Sequence, residues 1–108
     1  MKMDVFHFSD LKVAGKLYFE FARTSDLSAG VYRLETGATD KQTPHKEDEI
    51  YYVVSGTGAL TLNGQRSIVG PGTAILTRTG SSHGIQQVGS DDLVIIIVYQ
   101  QSNNARRS

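Results

Sequence analysis

The sequence predicts an all-β fold, a single small antiparallel β-barrel or sandwich, and three observations carry that expectation. Eleven glycines punctuate 108 residues, and the stretches between them are short and rich in Val, Ile, Leu, Tyr, Phe and Thr, the composition of strands joined by turns. No segment shows a 3.6-residue apolar period. The longest apolar run, Leu93 to Tyr99, is too β-branched to favour helix and too short to cross a bilayer. It reads as a strand buried on both faces.

Taken in chain order, the first residues lack the apolar run of a signal peptide, and a cytoplasmic protein is expected. A short strand is possible near residues 5–8, and His7 within it is expected to be a partly buried strand or edge histidine without a ligand role. Residues 16–23 alternate so that Leu17, Phe19 and Phe21 fall on one face and Lys16, Tyr18 and Glu20 on the other, which predicts a strand with its Phe face inward. Further strands are expected at 31–36, 49–54, 59–62, 74–78, 84–88 and 93–99. The Asn63-Gly64 pair suits a type I′ turn, so the chain on either side of it should pair directly. Roughly seven or eight antiparallel strands must close on themselves or stack to hide their edges. Residues 1–100 form this one domain, and the polar tail 101–108 is expected to be disordered.

Composition narrows the function classes. Eleven basic and eleven acidic residues give zero formal net charge, so no nucleic-acid or anionic-membrane partner is expected. Zero cysteines exclude disulfides, a thiolate nucleophile and thiolate metal ligands. Any metal must be held by nitrogen and oxygen. The informative histidines are His45 and His83. In Thr43-Pro44-His45-Lys46-Glu47-Asp48-Glu49, positions 45, 47 and 49 share a side of an extended chain. Because His45 and Glu49 would lie about 13 Å apart along a straight strand, both touch one ion only if the chain bends, and Pro44 is where a bulge is plausible.

Here the chain resembles the cupin family. That family's first motif reads Gly, five residues, His-x-His, three or four residues, Glu, six residues, Gly; this chain has Gly37, Thr43-Pro44-His45, Glu49 and Gly56. The second motif reads Gly, five residues, Pro-x-Gly, two residues, His, three residues, Asn; here stand Gly72, Arg78-Thr79-Gly80, His83 and Gln87. Fifteen residues, 57–71, separate the two motifs. The resemblance implies a cupin-type double-stranded β-helix, or jelly roll, with one divalent transition metal (Fe, Mn, Ni or Zn) held inside the open end by His45, Glu49 and His83. Thr43 replaces the first histidine of the motif and is a poor ligand. Allowing four residues before Glu49 instead puts Gln42 in that column and sacrifices His45. A bulge at Pro44 lets Gln42 and His45 face one cavity, making Gln42 a candidate fourth ligand. A shell of two histidines, one glutamate and water is the other completion, and a metal-free site is the third.

Around this shell, Glu47 and Asp48 are either partners of an imidazole or a proton or solvated edge charges. Tyr51 and Val53 share the parity of Glu49 and face inward, whereas Ile50, Tyr52 and Val54 face outward and need cover, most simply from a second copy. The resemblance also implies a homodimer. Gln87 either hydrogen-bonds a ligand or lines the interior, and Arg78 either pairs with a substrate carboxylate or faces away. Glu47, Tyr51 and Gln87 are thus the candidates for moving a proton. The implied function is a mononuclear metal-dependent enzyme acting on a small polar molecule, with dioxygenase, isomerase and lyase chemistry all open. The alternative is a non-catalytic metal or small-ligand binding module. A metal-free epimerase relative using the histidines as bases is disfavoured by the close spacing of His45 and Glu49.

Overall fold

The computed structural model describes residues 3–8, 18–42, 47–78 and 83–100. They form nine strands: β1 (Tyr18–Arg23), β2 (Leu27–Leu34), β3 (Thr39–Gln42), β4 (Glu49–Ser55), β5 (Thr57–Leu62), β6 (Gln65–Val69), β7 (Ala74–Thr77), β8 (His83–Val88) and β9 (Leu93–Gln100). Two antiparallel sheets result, ordered β1-β2-β9-β4-β7 and β3-β8-β5-β6. They share one apolar core drawn from both, including Leu34, Tyr51, Val53, Leu93 and Ile95 from the first sheet and Leu60, Val69 and Ile85 from the second. Burying each such side chain contributes roughly 1.5–3 kcal/mol.

The expected tight hairpin is present. Asn63 and Gly64 both take positive φ, 50° and 84°, and Leu62 pairs with Gln65 directly across the turn. Along β4 the burial alternates as the parity requires: Glu49, Tyr51 and Val53 are buried while Ile50 and Tyr52 are exposed.

Several expectations need correction. β3 is not among the expected strands, and β6 is expected only as the unbounded partner across the Asn63-Gly64 turn; both are edge strands of the second sheet. Their sequences, Thr-Asp-Lys-Gln and Gln-Arg-Ser-Ile-Val, lack apolar alternation because the backbone ladder to β8 or β5 holds them. Residues 5–8 form no strand, and His7 is exposed. In β1 the core side is that of Tyr18, which packs against the central cluster, not that of Phe19 and Phe21. Register decides this, since Tyr18 stands opposite the buried Tyr32 of β2. Phe21 instead meets Phe6 edge-on, with centroids 5.1 Å apart. Finally, β9 is not buried on both faces: Leu93, Ile95 and Ile97 are buried and the residues between them half-buried. Leu17 and the tail 101–108 lie outside the described residues.

Strand directions give the sandwich two distinct ends. β4 ends at Ser55 and β5 begins at Thr57, so these two ends of the sheets are shared. Gly56 at that corner has φ of +82°, and any side chain there would collide with the Asp92 carbonyl, so glycine is required on both counts. The β8–β9 turn lies at the same end, where Arg33 and Asp92 form an ion pair of 3.0 Å. Gln42, Glu49, Leu62, Thr77 and His83 are among the strand residues at the opposite end, called here the mouth. Among the described residues no helix is long and apolar enough to cross a membrane.

Candidate functional site

At the mouth the first sheet carries a polar row on its inner face. Ser28 of β2 pairs with Tyr99 of β9, Tyr99 with Glu49 of β4, and Glu49 with Thr77 of β7. Ser28 and Thr77 are each 1% exposed and Glu49 is 7% exposed. One step inward the row becomes Gly30, Ile97, Tyr51 and Ile75, and beyond it Tyr32, Ile95 and Val53. The interior therefore grades from hydroxyls and a carboxylate at the mouth to aliphatic packing at the far end.

Burying Glu49 is costly for a carboxylate without partners. The Tyr51 hydroxyl, two positions further along the same face, donates to Glu49 Oε1 at 3.3 Å. At that length it is a weak bond, and it ties Glu49 to the next residue on the same inner face.

On the second sheet, Cα register pairs Gln42 of β3 with His83 of β8, and His83 with Leu62 of β5. Three of the four residues named as metal ligands thus occupy strand positions at one end of the sandwich, two of them adjacent in one ladder. His45, together with Thr43 and Pro44, lies outside the described residues. Among the described residues no group of three His, Asp or Glu is gathered closely enough to hold a metal ion. The donor types nonetheless suit such an ion, because imidazole, carboxylate and amide oxygen are ligands that first-row divalent metals accept.

The remaining candidates separate. Glu47 is half-buried between β3 and β4 and Asp48 is exposed. Arg78 is exposed just beyond β7. Gln87 is 3% exposed and its amide is engaged with the backbone. Its Oε1 accepts from the Gly37 N–H at 2.7 Å, and its Nε2 donates toward the carbonyls of Asp91 (2.6 Å), Gly89 (3.1 Å) and Val88 (3.2 Å). It ties the β2–β3 turn to the β8–β9 turn, at the end away from the mouth.

The motif reading did not single out Ser28, Tyr99 or Tyr18. Glu20 accepts from Ser28 Oγ at 2.7 Å and from Arg23 Nε and Nη2 at 2.7 and 2.9 Å. Arg23 and then Ser28 hold the Glu20 carboxyl below the usual range. The Tyr18 ring lies against Gly30, where any side chain would collide with it. Its hydroxyl is sealed from solvent and lacks a hydrogen bond of good geometry among the described residues. Burial, with Tyr99 beside it, pushes the Tyr18 pKa up to about 12. No linear spacing links positions 18, 28 and 99; only strand order brings them together.

A two-sheet antiparallel domain with a polar mouth and a buried glutamate there is the architecture expected of a small cupin. The cupin domain family matches residues 30–99, and the chain belongs to that family. An uncharacterized protein of Streptomyces coelicolor is 37% identical over 82 residues, covering 76% of this chain and 77% of that protein. KdgF from a Halomonas species superposes with a TM-score of 0.71 at 28% identity, covering 82% of this chain and 81% of that one. A Thermotoga maritima protein described as a predicted oxalate decarboxylase superposes with a TM-score of 0.66 at 26% identity, covering 72% of this chain and 69% of that one.

Proposed function

We infer that this cupin holds one divalent transition metal at the mouth through His45, His83, Glu49 and the Gln42 amide oxygen, and that it acts there on a small polar molecule. The reading includes closure of the two sheets into a cupin barrel around that cavity and a cytoplasmic setting. One observation carries it: the strand directions deliver Gln42, Glu49 and His83 to the same end, where Glu49 is a buried carboxylate on an otherwise hydroxyl-lined row. When bound, the metal supplies Lewis acidity or a redox centre with positions open to a substrate oxygen. The chain itself supplies Glu49, hydrogen-bonded to the Tyr51 hydroxyl, and Glu47, half-buried just ahead of β4, is the proton acceptor of this reading. The different activities named for structural relatives, among them a predicted oxalate decarboxylase and a putative sugar phosphate isomerase, support action on a small polar molecule and leave the reaction type to the assay.

The outer face of the first sheet supports a homodimer. Two rows cross it without a charged residue: Phe19, Val31, Ile96, Tyr52 and Ala74, then Ala29, Val98, Ile50 and Leu76. Phe6 reaches the β1 side of this face, while Ile50, Tyr52 and Leu76 stay 45–48% exposed on the β4–β7 side. Such a patch on a chain of zero net charge favours self-association.

Elemental analysis of the purified protein tests the metal reading. The wild type is expected to hold close to one transition metal per chain, and His83→Ala to lose most of it while keeping its far-UV circular dichroism. Equal metal in the two proteins removes His83 from the shell, and a metal-free wild type that stays empty when titrated with Mn, Fe, Ni or Zn overturns the reading. Gln42→Ala with unchanged affinity makes the amide a bystander.

A further inference from the structure

We propose that the Tyr99 hydroxyl, backed by Tyr18 and flanked by Ser28, is the recognition wall for an uncharged, multiply hydroxylated small molecule of the polyol or aldose class, bound beside Glu49. The inference rests on the mouth being the ligand cavity and deepens that reading by naming what enters it.

Position comes first. Tyr99 stands in register between Ser28 on one side and Glu49 on the other, so a molecule held at Glu49 lies next to its phenol. Tyr99 is half-buried, whereas Ser28 is 1% exposed; Tyr99 is therefore the member of this corner that a ligand reaches. The Tyr18 hydroxyl sits behind it, sealed and without a well-made hydrogen bond among the described residues. Buried polar atoms are almost always paired, and an orphan calls for an explanation. The geometry offers one. Once Tyr99 donates its proton to a ligand oxygen, its own oxygen accepts from Tyr18, and both phenols are satisfied. Gly30 is what allows this stacking, since any side chain at that position would occupy the space of the Tyr18 ring.

Chemistry selects the ligand class. Ser28 donates to Glu20 and lies, like Tyr99, beside the Tyr18 hydroxyl, and phenols and aliphatic hydroxyls both donate and accept. Ligand hydroxyls have the same dual character and match such a wall. Carboxylates and phosphates only accept, and are best met by guanidinium or ammonium donors. Of the guanidinium groups described at the mouth, Arg23 is bound through Nε and Nη2 to Glu20, and Arg78 follows Thr77 on β7, two strands away from Tyr99.

Titration calorimetry of the wild type, Tyr99→Phe and Tyr18→Phe with xylitol and xylose tests this, with oxalate and inorganic phosphate as anionic comparisons and metal content measured on the same samples. The expected result is saturable binding of xylitol or xylose to the wild type, weakened about tenfold in each variant at unchanged metal content. No binding of either probe overturns the proposal. So does equal affinity in wild type and variants, which would make the Tyr18 orphan a buried-water site. Preference for oxalate or phosphate, indifferent to both substitutions, also overturns it. Hydroxyl-dependent xylitol binding by a protein that takes up no metal would instead uphold the wall and sink the metal reading.

Discussion

Replacing Gln87 by alanine should cost this domain stability rather than ligand binding, and the size of the effect follows from the contacts. The side chain is 3% exposed and meets one backbone N–H and three carbonyls at 2.6–3.2 Å. An amide NH2 has two protons, so the three carbonyls share two donors, and the side chain makes about three effective hydrogen bonds. At roughly 1 kcal/mol each, with a further penalty of about 1 kcal/mol or more for a part-buried Gly37 N–H left without its acceptor, the loss is about 3–5 kcal/mol. For a chain of this size that lowers the melting temperature by roughly 15–25 °C. Urea unfolding followed by far-UV circular dichroism measures it, the chain having no tryptophan to report by fluorescence. Gln87→Glu sharpens the test. It keeps the acceptor for Gly37 but turns an oxygen toward three carbonyls, an arrangement that favours the protonated carboxyl. Its stability should therefore rise as the pH falls through the raised pKa, where the wild type gains nothing at this position. A loss below about 1 kcal/mol in Gln87→Ala would refute the view of Gln87 as an anchor. Weakened binding at full stability would return it to the ligand site.

Other outcomes are checked separately. The Tyr18 hydroxyl, its pKa raised to about 12, favours the neutral phenol in the folded state. That contribution is complete below the unfolded value near 10 and is lost as the pH climbs through 10 toward 12. Because the group is only partly buried, the loss is about 1–2 kcal/mol after screening, and Tyr18→Phe should remove it from the alkaline limb of stability against pH. Ile50→Lys on the exposed apolar face should convert a dimeric wild type to monomer in analytical ultracentrifugation; a monomeric wild type would refute the interface.

Much of the fold is readable without coordinates because its inner strands carry their own signal. Glu49 to Val53 do not alternate by residue type, but once the motif marks Glu49 as inward the two-residue period of a strand places Tyr51 and Val53 with it, and the burial of β4 follows. Asn63-Gly64 announces its turn because few other pairs tolerate positive φ at both positions. β3 carries no such mark, and β6 none beyond that turn, since an edge strand is held by hydrogen bonds that any sequence can make. The site divides the same way. The two motifs mark Glu49 and His83, and the parity of β4 places Tyr51 inside.

Local pattern thus determined that the chain is all β, where most strands run and which face of β4 turns inward, because side-chain alternation and turn chemistry act over a few residues. Strand order and register decided the rest: that Tyr18, not Phe19, faces the core, that Ser28, Tyr99 and Glu49 share one row, and that Gln87 spans two turns. Those groups are up to dozens of residues apart in the chain and meet only after the sheets have assembled, so their proximity is a property of the packed whole and leaves no trace in local spacing.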